Sequence, residues 1–359
     1  MPPRDDDHRK SAMARLRALL SMNDAPLSPM EAVRKRYVRT RRDATLLGHF
    51  DRLLLDLAER PEADDPDAGL RREGNLLLVM AMSGAGKTRS LNRLFGRHPA
   101  LDGRAPGEPG CPVLSLSAPS PCGVKELGRS VLAATGYPLS RRNLDGPEIW
   151  AIVRGRLEAL GILVIHIDEA QHATQLRDAG ERQKLRNTVK ALMVDPAHPV
   201  AVILSGLPEI AEFLEPDVQL SRRAQWYSVA PVALPEDGEA LRKTLSGNAE
   251  LVGLALDQDT VRQLLPRLVH ASDGRLGVLV EEIQDALRFA LEAKAPRLLL
   301  EHFAGAFARR TGNAPAYNPY MRADFRSVEV WRMLADRERP PPVPEKGPAR
   351  RGRKPGGAE

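Results

Sequence analysis

The run Leu76-Leu77-Leu78-Val79 passes through Met80 into Ala81-Met82-Ser83-Gly84-Ala85-Gly86-Lys87-Thr88 and then into a helical pattern. An apolar strand that feeds a glycine-rich turn ending in Gly-Lys-Thr leaves few folds open, because the turn must deliver backbone N–H groups to a helix N-terminus. Gly84 and Gly86 let those N–H groups curl around an anion where the helix dipole favours negative charge. Lys87 then bridges the β- and γ-phosphates of a nucleotide, and the Thr88 hydroxyl ligates Mg²⁺. The candidate nucleotide-binding residues are Ser83, Gly84, Ala85, Gly86, Lys87, Thr88 and Arg89. Ala81 stands where the pattern has its first Gly, a tolerable departure if its φ stays negative. The alternative is a glycine-rich strand-to-helix turn with no ligand.

A second strand, Ile162 to Ile167, ends in Asp168-Glu169. In parallel sheets ligands bind outside the carboxyl ends of the strands, so these acids fall beside the phosphate loop. Asp168 is placed to hold Mg²⁺ through a water, and Glu169 to polarise the water that attacks ATP. His166, inside the apolar run, reads as a core imidazole. His172 is either structural or part of the acid cluster. The strand Val200 to Leu204 runs into Ser205-Gly206. Ser205 either senses the γ-phosphate, as a polar residue there does in ATPases of the AAA+ class, or caps the turn.

Short apolar strands (Leu76-Val79, Val113-Leu116, Leu163-Ile167, Val200-Leu204) alternate with helical patterns up to about residue 234. This predicts an α/β domain of P-loop type, a parallel sheet flanked by helices. From Pro235 the strand signals stop and helical spacing takes over, which predicts a small all-helical lid domain. The expected boundaries are a basic N-terminal extension over 1–44, the nucleotide-binding domain over 45–234, the lid over 235–322 and a basic, largely disordered tail over 323–359. An amphipathic helix, Leu46 to Leu57, should dock on the α/β domain.

Two cysteines, Cys111 and Cys122, cannot build a disulfide framework and no Cys/His spacing suggests zinc, so a reducing, cytoplasmic setting is expected. The N-terminus lacks the apolar core of a signal peptide, and the apolar runs fall far short of the ~20 residues that span a bilayer, so no membrane role is expected. Lys plus Arg number 53 against 47 acids, a formal charge of +6. That excess is too small to signify nucleic acid unless it is concentrated.

Two arginine positions are candidates for handling phosphate charge. In Gln219-Leu220-Ser221-Arg222-Arg223, Arg223 is either an arginine finger supplied to an adjacent subunit or part of a solvated basic turn. In Ser272-Asp273-Gly274-Arg275-Leu276-Gly277, Arg275 either reaches back from the lid to the nucleotide or belongs to a glycine-rich helix start.

The order of these motifs resembles an AAA+ ATPase. Further stretches narrow the resemblance: Val113-Leu114-Ser115-Leu116-Ser117-Ala118-Pro119, Leu132-Ala133-Ala134-Thr135-Gly136-Tyr137-Pro138, Asp168-Glu169-Ala170-Gln171-His172, Gly206-Leu207-Pro208-Glu209-Ile210 and Asn318-Pro319-Tyr320. Together they resemble the TniB family of ATP-binding transposition proteins, related to the TnsC target-selection ATPases, over residues 30 to 322. Leu207 departs from that pattern, where a small polar residue is expected after the sensor Gly. Ala224 departs too, where an aromatic is usual. The resemblance implies a homo-oligomer, ring or filament, that forms on double-stranded DNA when ATP is bound. It would recruit a transposase of the integrase-core type, answer to a third target-selection adaptor, and disassemble on hydrolysis. It implies composite sites, with Lys87, Thr88, Asp168 and Glu169 from one protomer and Arg223 from its neighbour.

For DNA contacts the candidates are Lys125, Arg141 and Arg142, either phosphate ligands or solvated charges. In the tail, Arg350-Arg351-Gly352-Arg353-Lys354-Pro355 resembles a minor-groove AT-hook, with Arg351 and Arg353 about the Gly, or is simply a basic tail. Two other functions remain open to the sequence: a helicase loader or initiator-like ATPase, and a signalling or defence NTPase that ignores DNA.

Overall fold

The computed structural model describes residues 27–58, 75–138, 144–195, 197–312 and 315–335, together with 11, 12, 14–16 and 18. Among the candidate residues, Arg141, Arg142, Arg351 and Arg353 lie outside these, as does the tail from 336 onward.

From α1 (Leu27–Lys35) and α2 (Arg41–Ala58) the chain enters β1 (Leu76–Met80), α3 (Lys87–Phe95), β2 (Val113–Ser117), α4 (Val124–Ala134), α5 (Gly146–Leu160) and β3 (Val164–Asp168). It continues through α6 (Ala179–Met193), β4 (Ala201–Gly206), α7 (Ala211–Leu214), α8 (Val218–Arg223) and β5 (Ala224–Ser228). It then forms α9 (Gly238–Leu251), α10 (Gln258–Ala271), α11 (Leu276–Glu292), α12 (Leu300–Thr311) and α13 (Val330–Ala335). The strands form one parallel sheet in the order β2-β3-β4-β1-β5. Four strands stand where the apolar runs predict them. The fifth, β5, escapes a reading by apolar runs because it is an edge strand of sequence Ala-Gln-Trp-Tyr-Ser in which only Tyr227 is buried.

Strand side chains alternate between faces, and both faces are covered. Leu76, Leu78, Ile165, Ile167, Val202 and Leu204 pack with α4, α5 and α6. Leu77, Val79, Val164 and Ile203 pack on the opposite face with Phe50 of α2 and Phe95 of α3, whose rings meet edge-on at 5.6 Å. Covering both faces explains why the central strands read as unbroken apolar runs. Each fully buried phenylalanine contributes roughly 1.5–3 kcal/mol over leaving it exposed. Local signals agree with these layers. α5 opens on a capping box in which Asp145 accepts from the Glu148 N–H and Glu148 from the Asp145 N–H, both at 2.8 Å, and closes at left-handed Gly161.

The helical part has its own apolar cluster, built on α9 to α12. This cluster takes in Met30 and Val33 of α1 at one end and Val328 and Val330 at the other, residues that the sequence places in the extension and the tail. The basic run near the N-terminus is partly consumed inside the molecule. Arg42 is buried, donates to the Ala230 carbonyl at 3.2 Å and faces Asp237 at 3.8 Å, while Arg36 donates to Asn248 of α9 at 3.4 Å. Asn318-Pro319-Tyr320 is a structural clasp: Asn318 donates to the Ala304 carbonyl and accepts from the Tyr320 N–H, and buried Tyr320 sits beside the Glu282–Arg310 ion pair. Burial pushes the Glu282 carboxyl up to about 7 although Arg310 opposes it. Both cysteines are buried and free. Among the described residues no helix is long and apolar enough to cross a membrane.

Candidate nucleotide site

Parallel pairing in register brings the chemistry to one edge. Val79 lies opposite Ser205 and Met80 opposite Gly206, while Ser117 lies opposite Asp168, so the phosphate loop, the acids and the end of β4 share the carboxyl end of the sheet. The loop leaves β1 with Ala81 at 5% exposure and its N–H donated to the Gly206 carbonyl at 3.1 Å. Ala81 keeps a negative φ, whereas Gly84 and Gly86 adopt φ of 74° and 93°. The departure at Ala81 therefore costs the loop nothing, and the glycines stand where only glycine is unstrained.

Lys87, at the first turn of α3, is 8% exposed and donates to the Ala81 carbonyl at 2.7 Å. Its ammonium is thus folded into the loop whose N–H groups would surround a phosphate. Thr88 donates to Oδ2 of Asp168 at 2.5 Å. A hydroxyl and one carboxylate in contact form an oxygen donor set suited to Mg²⁺, which takes few protein ligands and completes its shell with phosphate oxygens and water. When bound, the ion would neutralise charge on the β- and γ-phosphates.

Asp168 also closes a buried hydrogen-bonded chain across three strands. Ser205 Oγ donates to Oδ1 of Asp168 at 2.5 Å, His166 Nε2 lies 2.8 Å from the same hydroxyl, and His166 Nδ1 lies 2.8 Å from Ser115 Oγ. The carboxylate only accepts, so it takes the single Ser205 proton; His166 Nε2–H must donate to Ser205, and Nδ1 accepts from Ser115. A neutral imidazole satisfies the whole chain. Burial lowers the His166 pKa to about 4, against the pull of Asp168. Burial raises the Asp168 carboxyl, but donation by Ser205 and Thr88 outweighs it and holds the group below its ordinary range.

Ser205 is fully buried, commits its proton to Asp168 and does not line the cavity, so in this arrangement it holds the Asp168 carboxylate. Arg275 stands at the N-cap position of α11 without a side-chain capping bond; its buried guanidinium reaches back to the phosphate loop, donating to the Ser83 carbonyl at 3.4 Å and facing Asp273 at 3.7 Å, and it does not line the cavity. The helical part also meets the loop by backbone: the N–H groups of Gly277 and Val278 donate to the Gly84 carbonyl at 2.7 and 3.2 Å. Arg89 lines the cavity but uses its guanidinium to bind the carbonyls of Arg34 and Arg36. His172 faces the Ala118 carbonyl at 3.3 Å, a structural contact.

The resulting cavity is about 690 Å³. Ser83, Gly84, Gly86, Lys87, Thr88 and Glu169 line it together with Tyr37, Val38, Leu276 and Val280, so polar loop groups and apolar side chains face one cavity. Glu169 is exposed and leaves β3 with a left-handed φ of 55°. Arg223 ends α8 and does not line the cavity of its own chain. Lys125 is exposed in the first turn of α4. The motifs give no role to Tyr37, Val38, Gly277 or Gln171; only the three-dimensional packing brings them to the site.

Residues 70–214 match the sequence family described as an AAA domain. No curated protein matches the chain. Among solved structures the chain is similar to Orc1 of Aeropyrum pernix in complex with DNA, at 19% identity and a TM-score of 0.55 over 79% of this chain and 69% of that one. It is similar to Cdc6p of Pyrobaculum aerophilum at 15% identity and a TM-score of 0.53, over 76% and 68% of the two chains. It is also similar to Drosophila ORC bound to DNA at 13% identity and a TM-score of 0.52, over 82% and 68%. At these identities the likeness is one of fold, that of an AAA+ P-loop NTPase with a helical C-terminal region. With the AAA-domain match and the geometry of Lys87, Thr88 and Asp168, the chain is a P-loop ATPase.

Proposed function

We propose that this ATPase assembles with copies of itself on double-stranded DNA when ATP is bound, and that it serves DNA transposition as the adaptor that brings an integrase-core transposase to its target. ATP with Mg²⁺ binds between the phosphate loop and the lid, Glu169 polarises the attacking water, and Arg223 of a neighbouring copy completes the site. Hydrolysis then releases the assembly. The setting is the cytoplasm, and a third target-selection adaptor would control where assembly starts. The single observation that supports the reading is the backbone clasp of Gly277 and Val278 on Gly84, through which a nucleotide in the loop would act on the position of the lid. An ATPase built this way converts nucleotide state into a change of subunit shape. The resemblance of the motif order to TniB proteins supports the transposition role, and the likeness to Orc1 in complex with DNA supports the DNA partner. That same likeness favours a second reading, an initiator-like ATPase that loads another machine on DNA.

Complementation tests the shared site. Lys87→Ala and Arg223→Ala should each abolish ATP turnover alone, because one removes a phosphate ligand in cis and the other the guanidinium in trans. Mixed together with DNA they should regain turnover, since an Arg223→Ala protomer keeps Lys87 and receives Arg223 from a Lys87→Ala neighbour. A mixture as inactive as its components would refute the composite site. Strand transfer by a transposase, stimulated by this protein, separates transposition from the initiator reading.

A further inference from the structure

Glu169 sits past the end of β3, so the strand does not fix where its carboxylate points. A neighbouring side chain does. Gln171 Nε2 donates to Oε2 of Glu169 at 2.5 Å, and Oε1 of the same amide accepts the backbone N–H of Leu207 at 3.1 Å. The amide can stand only one way round: a carboxylate only accepts and a peptide N–H only donates, so exchanging N and O would break both bonds. Gln171 is 7% exposed, and Gly206 makes the room for it. A Cβ at Gly206 would lie 2.5 Å from Gln171 Oε1 and 3.2 Å from its backbone N. The turn is held from below as well, by the Thr174 hydroxyl donating to the Gln171 carbonyl at 2.8 Å. The sequence Asp-Glu-Ala-Gln and the Ser-Gly at the end of β4 are therefore one device, split across two loops.

We infer that Gln171 is the positioning residue for the hydrolytic step: its amide aims the Glu169 carboxylate and couples that aim to the end of β4. The inference rests on Glu169 being the group that polarises the attacking water. Leu207 offers no polar side chain to a γ-phosphate, yet it lines the same cavity as Lys87 and Glu169. Its backbone N–H, acting through Gln171, gives this strand end a direct connection to Glu169. A displacement of the β4 end is then transmitted to the carboxylate by two hydrogen bonds in series. A carboxylate held in one orientation also needs no reorganisation as the water is activated, which is where preorganisation lowers a barrier.

Three variants test this by single-turnover ATP hydrolysis, fluorescent ATP-analogue affinity and thermal melting. Gln171→Glu keeps the side-chain length and can still accept from Leu207, but it cannot donate to Glu169 and opposes it with like charge. Gln171→Ala removes both bonds, and Glu169→Gln is the reference for loss of the base. The expected result is a fall in hydrolysis of at least about tenfold, or about 1.4 kcal/mol, in both Gln171 variants, with analogue affinity unchanged and Gln171→Glu melting with the wild type. Wild-type hydrolysis by Gln171→Glu overturns the inference, as does a parallel loss of affinity and hydrolysis, which would mark a merely structural contact. If Glu169→Gln itself hydrolyses at the wild-type rate, the role of Glu169 falls, and this inference with it; if only Gln171→Glu does, the ATPase reading stands and this inference alone fails.

Discussion

Substituting Gly277 by Ala should uncouple the lid from the phosphate loop. A Cβ built on Gly277 would lie 2.5 Å from the Gly84 carbonyl oxygen and 3.3 Å from its carbon. Ordinary contact needs about 3.5 Å, and both clashing partners are backbone, so no rotamer change relieves the overlap. The start of α11 must retreat by roughly 1 Å, which breaks or weakens the two bonds that Gly277 and Val278 donate to Gly84. Each bond is worth about 0.5–1.5 kcal/mol, and overpacking of a close contact adds about 1–3 kcal/mol. The closed arrangement therefore loses on the order of 3 kcal/mol, borne by whatever requires it. The cavity is lined by both the loop and α11, so nucleotide binding is expected to depend on it. Fluorescence titration with an ATP analogue should show the Kd rising at least about tenfold, with the sheet domain still folded by circular dichroism. Gly48→Ala is the control: this exposed glycine of α2 has nothing within 4 Å of its would-be Cβ, and alanine there should leave affinity untouched. Unchanged affinity in Gly277→Ala would refute the claim that the lid contact and nucleotide binding are one event.

The buried chain from Ser115 to Asp168 makes the protein acid-sensitive. His166 is held neutral with a pKa near 4, so below its ordinary value of about 6.5 the unfolded chain binds a proton that the folded one refuses. Stability on the order of 3 kcal/mol should be lost as pH falls from about 6.5 toward 4. Asp168, whose pKa is depressed, adds a loss of the same sign at lower pH, as its folded-state pKa is crossed. Equilibrium unfolding in urea from pH 7.5 to 4.5 measures the slope, and a flat profile contradicts a buried neutral imidazole. Ser205→Ala removes the donor to Asp168 and the acceptor of His166, so the acid-unfolding midpoint should move to higher pH; an unmoved midpoint would show that the chain is incidental.

The phosphate loop and the acid pair were legible because each is local: a strand, a turn and a few residues at fixed spacing define the chemistry. The sheet was legible for the same reason wherever both faces of a strand are covered, as in β3 and β4. β5 was not, since an edge strand can keep polar residues and still pair with β1. The role of Ser205 was also hidden. Sequence places it at a strand end but does not say which side of the sheet edge its hydroxyl takes, and here His166 and Asp168 on the adjacent strand claim it. Gln171 and Gly277 belong to the site only through contacts with Leu207 and Gly84, residues far away in the chain, and no periodicity encodes such a meeting. The basic N-terminal run shows the converse: charges that the sequence assigns to an extension are partly spent on Asp237, Ala230 and Asn248 within the fold.

In the proposed function, ATP state and duplex DNA together control self-assembly. Negative-stain microscopy and light scattering on the Glu169→Gln protein in four conditions, with and without ATP and with and without duplex DNA, test it most directly. Rings or filaments are expected only when both are present, and should be lost at raised salt as phosphate contacts are screened. Assembly that proceeds equally well without DNA, or a protein that stays monomeric with both ligands present, would contradict it.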